Sequence, residues 1–257
     1  MKKLESIENK IVPIAFFGIL VTIWEFVVAK GFIEKYILPS PKDIFITFLE
    51  ILPNIRVHIF TTIYEAFFGF IIAIIFSLIL AVLMDNIKIL KKAIYPLLIV
   101  SQTIPIVALA PLFVIWFGFG KLPKIIVVVL VCFFPIVISL LDGLDSVDED
   151  TINLLKSMGA GKIQIFKYAK FPASMVNFFS GIKVAATYSI MGAVIGEWLG
   201  GSEGLGVYMM RVKHSYALDK VFAVILIIVI LSMSLFKIIS ILQNLIMPWQ
   251  NDLNKRR

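Results

Sequence analysis

Charge is what this chain has least of. Only 16% of its 257 residues are Asp, Glu, Lys or Arg, while 60% are hydrophobic. A soluble domain carries roughly 25% charge, so the composition excludes the ordinary water-soluble class. Cysteine is nearly absent: Cys132 stands alone in an apolar run, which rules out an internal disulfide and any cysteine-based metal site. The two histidines, His58 and His214, are far apart, and neither belongs to a pair at metal-ligand spacing. Neither a metal site nor a catalytic residue is expected. The nucleotide signature G-x-x-x-x-G-K-[ST] is missing too, since Gly120-Lys121 and Gly161-Lys162 lack both the upstream glycine and the Ser or Thr. The chain should therefore not bind ATP itself. Strands alternating apolar and polar residues over about ten positions, the mark of a membrane barrel, are missing as well.

What is present is a series of long apolar runs. Inside a bilayer the backbone must satisfy its own hydrogen bonds, so continuous runs read as helices. Six are long enough to span: Ile11–Ala29, then 59–84, 93–117, 125–141, 181–199 and 221–246. The expectation is an all-α membrane protein of about six transmembrane helices. The fourth run is the shortest, and Lys124 is placed to extend it by snorkelling. The N-terminal run follows Lys2, Lys3 and Lys10 but contains Glu25 and exceeds a signal-peptide core, so it reads as a retained helix.

The net charge of +7 sits in short clusters between the runs rather than in a basic face, which argues against nucleic acid. With both termini in the cytoplasm, 13 Lys and Arg lie inside and 9 outside, and Lys183 and Lys237 fall within helices. The inside clusters include Lys88, Lys91, Lys92 and the terminal Lys255-Arg256-Arg257. Two connections exceed simple turns. In 30–58, Leu38-Pro39-Ser40-Pro41 precedes an apolar-periodic stretch, which predicts a short interfacial helix starting at Ser40 or Pro41. The other, 142–180, opens with five acids and continues with an amphipathic stretch 151–158. Gly159 sits where a left-handed cap would end that helix. A second helical stretch runs towards Lys170, and Pro172 is expected to close it.

This helix–Gly–helix–Pro element resembles the cytoplasmic "EAA" loop of binding-protein-dependent ABC importer permeases. Asn153-Leu154-Leu155 stands at the Glu-Ala-Ala position, Gly159 and Pro172 fall at the family separation, and the triplet itself is lost. Ser101-Gln102-Thr103-Ile104-Pro105, Trp116-Phe117-Gly118-Phe119-Gly120 and the stretch from Gly196-Glu197-Trp198 to Gly206 are similar to the nitrate/taurine/sulfonate-type branch. Within that branch the flavour is closest to permeases for thiamine-precursor pyrimidines or riboflavin.

The resemblance implies a type I importer permease in the cytoplasmic membrane. The whole chain would form a single permease domain, with 1–30 an extra N-terminal helix, 59–247 the core helices and 142–180 the docking loop. It implies a homodimer served by two ATP-binding subunits, which would hold ATP and Mg, and by an extracytoplasmic solute-binding protein. The docking residues are then Asp150, Asn153, Leu154, Leu155, Met158, Gly159, Ala160, Phe166 and Pro172. The solute would be a small heterocycle; the alternatives are a sulfonate, taurine or nitrate-type anion, or an ion-gradient-driven secondary transporter.

Buried charge is costly in a membrane and defaults to a functional reading. Glu25 and Lys237 lie near helix ends, where snorkelling accounts for them. Glu65 reads equally as an interhelical partner or a pathway residue, and Glu197 as an interfacial Glu–Trp pair or a pathway residue. With Gln102, Tyr188 and Trp198, Glu197 makes the expected route. Gly181, Ala185, Ser189, Gly192 or Ala193, and Gly196 repeat at helical spacing, which suits close helix packing. Gly200-Gly201-Ser202-Glu203-Gly204 matches a hydrolase signature literally but follows a membrane helix instead of a strand.

Overall fold

A computed structural model describes residues 2–248, the side chains of 2–10 excepted, and the basic cluster Lys255-Arg256-Arg257 lies outside the described residues. The fold is helical throughout those residues, in two compact units. One combines the chain up to Val57 with Tyr208–Ile227; the other combines His58–Val207 with the chain from Ile228 onward.

In the first unit, α1 (Lys2–Ala29) exposes Ile14, Phe16, Phe17 and Phe26 on several faces. A helix apolar all round needs an apolar solvent, and lipid supplies it. α2 (Pro41–Ile51) begins as expected: the Asp43 amide donates to Ser40 Oγ at 3.2 Å, and Pro41 occupies the first turn. Ile44, Thr47 and Ile51 form its buried stripe. Near the end of α1, the Glu25 carboxylate accepts from the Lys42 amide at 3.1 Å. Lys35 lies 3.0 Å from Asp43 and holds that carboxyl below its ordinary range. Thr47 donates to Asp219 at 3.1 Å, so residues distant in sequence close the unit.

The second unit contains most of α3 (Arg56–Asn86), followed by α4 (Lys88–Ser101), α5 (Ile106–Phe117) and α6 (Lys121–Asp145). Next come α7 (Glu149–Ser157), α8 (Lys162–Ile165), a π-helical turn at Phe166–Lys170 and α9 (Phe171–Glu197). α10 (Leu205–His214) and α11 (Leu218–Ile246) are each divided between the units. The centre is the pair α6 and α9, and its seam is the small-residue repeat. An added Cβ at Gly181 would stand 2.6 Å from the Pro135 carbonyl, and at Gly192 2.6 Å from Val131 Cγ2. Only glycine lets these backbones approach so closely. Cys132 fills the same seam and donates to the Ala185 carbonyl at 3.3 Å.

Three expectations are corrected. The run 93–117 is not one straight span: α4 and α5 meet at 103°, around residues 102–105. Pro105 has no amide to donate, and the hydroxyls of Ser101 and Thr103 bond back to the Leu98 and Val100 carbonyls, so the helical ladder stops there. Pro172 does not close a helix. It lies in the first turn of α9, and the turn before it widens so that the Phe171 amide reaches the Phe166 carbonyl five residues back. Lys162–Glu197 is consequently one helical stretch of 36 residues, and the connection after α6 is shorter than the sequence suggested. Lys124, finally, does not snorkel; it is 5% exposed.

Candidate functional site

The break between α4 and α5 opens a cavity of about 380 Å³. Ser101, Gln102, Ile104, Pro105, Ile106 and Leu109 line it from the break; Leu130, Val131, Phe134 and Pro135 from α6; Tyr188 and Met191 from α9. No charged side chain is among them. The polar groups are the Gln102 amide, the Tyr188 phenol and the Ser101 hydroxyl, set in an otherwise apolar wall. This composition and size suit one small, mostly apolar molecule with a few hydrogen-bonding edges. Irregular backbone at membrane depth is tolerated where it lines a cavity, and this break does so.

The structure thus brings Gln102 and Tyr188 together and sets Glu197 elsewhere. Glu197 is 1% exposed, in the last turn of α9. Its Oε1 accepts from Thr62 Oγ1 at 2.6 Å, and its Oε2 accepts from the Gly206 amide at 2.6 Å. Thr62 in turn accepts from the Leu205 amide at 2.9 Å, while the Gly204 amide donates to His58 Nδ1 at 3.0 Å. Gly204, at φ +125°, passes so close to the carboxylate that any Cβ would collide with it. Beside it, Lys124 Nζ donates to Glu65 Oε1 at 2.9 Å and reaches the Glu203 carbonyl at 3.4 Å. Glu65 and Glu197 are thus interhelical partners that clamp the glycine-rich turn after α9 onto the starts of α3 and α6. Charge-assisted bonds in a buried setting make this clamp stiff. Trp198, the next residue, is 40% exposed and outside the cavity lining.

Sequence reasoning missed Thr62 and Lys124. Thr62 looked like any apolar-run threonine, and its partner is 135 positions away. A signal for Lys124 did exist: a lone cation next to a span that already held an unexplained Glu65.

The expected docking residues form a different surface. α7 buries none of its residues. It ends as a Schellman motif: the Gly159 amide donates to the Lys156 carbonyl, and the Ala160 amide to that of Leu155, both at 2.9 Å, with Gly159 at φ +85°. Leu154 and Met158 are 63% and 75% exposed, and Asp150, Asn153 and Pro172 are exposed as well. Leu155, Ala160 and Phe166 are half-buried. A second cavity, about 600 Å³, lies between α7 and the ends of α3 and α6, with Asn153 and Phe166 in its lining. The literal hydrolase match has no strand before Ser202, only α9.

Residues 73–251 match the family described as a binding-protein-dependent transport system inner membrane component. The chain is 36% identical to the formylaminopyrimidine transport permease protein ThiX of Halalkalibacterium halodurans, over 93% of this chain and 95% of that one. It is 29% identical to the riboflavin transport system permease protein RibX of Chloroflexus aurantiacus, over 90% and 87%. It is 27% identical to the putative aliphatic sulfonates transport permease protein SsuC of Bacillus subtilis, over 91% and 86%.

Proposed function

The chain belongs to the binding-protein-dependent ABC importer permeases, and on that premise we propose that it carries a small uncharged heterocycle through the cavity at the α4–α5 break. As a permease it is the multi-pass inner-membrane component of an importer for a small solute, and the family implies an ATP-binding subunit and a solute-binding protein as partners. The finer reading is a pyrimidine of the thiamine-precursor type. The observation that carries it is the uncharged lining. A sulfonate entering this cavity would lose its hydration with no cation to receive it, and an unpaired buried charge is strongly disfavoured. A flat heterocycle instead meets the Gln102 amide and the Tyr188 ring.

In this reading Gln102 and Tyr188 line the route, while Glu197 and Trp198 gate the end of α9. Two copies of the chain, each one permease domain, form the pathway with both termini in the cytoplasm. The loop from Asp150 to Pro172 docks on the ATP-binding subunit, which holds ATP and Mg. Its support is a short capped helix presenting Leu154 and Met158 to solvent, apolar surface that a partner would cover.

The test is uptake by the complex reconstituted in vesicles with its ATP-binding subunit and binding protein, using labelled formylaminopyrimidine and labelled ethanesulfonate. ATP-dependent uptake of the pyrimidine alone is expected. Gln102→Ala and Tyr188→Ala should each reduce it by about tenfold, with ATPase activity retained. Uptake of the sulfonate in its place, or full pyrimidine uptake by both variants, overturns the assignment.

A further inference from the structure

α7 is held to the second unit chiefly through α8 and lies over a cavity instead of a packed core. Movement of such a weakly seated helix needs a firm link to reach the membrane helices. One link is covalent, through α8 and the π-helical turn into α9. A second is electrostatic. Lys170, the last residue of that turn, donates from Nζ to Asp85 Oδ1 at 2.5 Å, and Asp85 lies in the last turn of α3. The pair is unlike its neighbours. The Asp85 side chain is 8% exposed and that of Lys170 22%, whereas Asp145 in the same cavity wall is 52% exposed and Glu149 is exposed. Parting a carboxylate this far from water from its cation leaves a buried charge unpaired, so separating the two is costly, unlike breaking a surface pair. The π turn adds to this. Because the turn before Pro172 is widened, Lys170 occupies the position where the helix register is already displaced.

We propose that the Asp85–Lys170 pair is the coupling contact that makes α3 follow the docking loop, so that the second unit's helices move together when the ATP-binding subunit closes. This rests on the loop being the docking element. It assigns to Asp85 and Lys170 a positioning role in transport, without contact to solute or nucleotide.

The experiment uses Tyr188→Cys as a reporter in the cavity, with the complete complex in vesicles. The native Cys132 is fully buried and leaves the new thiol as the accessible one. Labelling by an impermeant maleimide is compared with and without ATP, Mg and vanadate. With the pair intact, trapping should change the labelling rate by about fivefold or more. In Asp85→Asn and in Lys170→Gln the change should shrink below about twofold, although the ATP-binding subunit still co-purifies. The exchanged pair, Asp85→Lys with Lys170→Asp, should restore most of the response. Single variants that respond like the parent overturn the proposal, and so does an exchanged pair that folds and stays as unresponsive as the single variants. If the single variants fail to accumulate, the exchanged pair decides: recovery of accumulation without recovery of the response makes the contact merely structural. Failure of the docking reading has a different signature, an ATP-binding subunit that never co-purifies with the parent chain.

Discussion

A residue's role in this chain is decided by what meets it, and the partner is rarely visible nearby in sequence. Glu197 illustrates the point. Its neighbours Gly196, Trp198 and Gly200 marked it as unusual, but the clamp depends on Thr62 and Gly206, and no local pattern announces a threonine 135 positions away. The same holds for Glu65, whose partner Lys124 read as a snorkelling end residue until the two met at 2.9 Å. The clamp has a sharp consequence. Both oxygens of Glu197 accept hydrogen bonds, one from a backbone amide that cannot turn away. In Glu197→Gln the new NH₂ group faces either that amide or the Thr62 side, where the hydroxyl must turn to accept. One buried hydrogen bond is lost and a donor is left poorly matched, at about 1–3 kcal/mol. The purified variant in detergent should unfold several degrees lower than the parent. Thr62→Ala, which leaves the carboxylate with one donor, should lie between them. An unchanged midpoint for Glu197→Gln would mean that the clamp does not hold the turn.

Elements were legible where a local rule operates without competition. Ser40 and Pro41 started α2 as caps do, and Gly159 ended α7 in the left-handed conformation that its position required. The small-residue repeat from Gly181 to Gly196 is the seam against α6. Two elements were illegible because proline has more than one outcome. At Pro105 the ladder broke and the chain turned by 103°, while at Pro172 it widened by one residue and continued. A proline by itself cannot separate the two outcomes. The α7 cap yields a clean element-level expectation. A Cβ at Gly159 meets no atom within 4 Å, so a substitution there costs backbone strain alone. Gly159→Val forces a β-branched residue to φ +85° and should cost about 1–2 kcal/mol, enough to fray the last turn of a nine-residue helix. Co-purification of the ATP-binding subunit should fall, while the permease still reaches the membrane. Gly159→Asn, which tolerates the left-handed region, should retain most of the association. Equal behaviour of the two variants would dissociate the cap from docking.

At the scale of the molecule, hydropathy located the spans, but the structure adds a constraint on orientation that hydropathy lacks. Lys162–Glu197 is 36 residues of near-continuous helix, about 54 Å at 1.5 Å per residue, and a hydrocarbon core is only about 30 Å thick. The helix must leave the bilayer at one end. The departing end carries Lys162, Lys167 and Lys170, and α7 with its acids precedes it. At the other end stand Glu197, Trp198 and the glycine-rich turn. Basic clusters at helix ends collect on the cytoplasmic side, and Lys88, Lys91 and Lys92 join this one, since Lys91 pairs with Asp145 at the end of α6. The protruding end, and α7 with it, is therefore expected in the cytoplasm and the Glu197 end outside. Single cysteines at Ser157 and Ser202 test this, because both positions are exposed and Cys132 is fully buried. In intact cells an impermeant maleimide should label Ser202→Cys at once and Ser157→Cys only after the membrane is opened. Ser6→Cys, on the N-terminal side of α1, should behave like Ser157→Cys if both termini are inside. Labelling of Ser157→Cys from outside would invert the chain, place the docking loop beyond reach of any ATP-binding subunit, and remove the basis for reading the Asp85–Lys170 pair as a coupling contact.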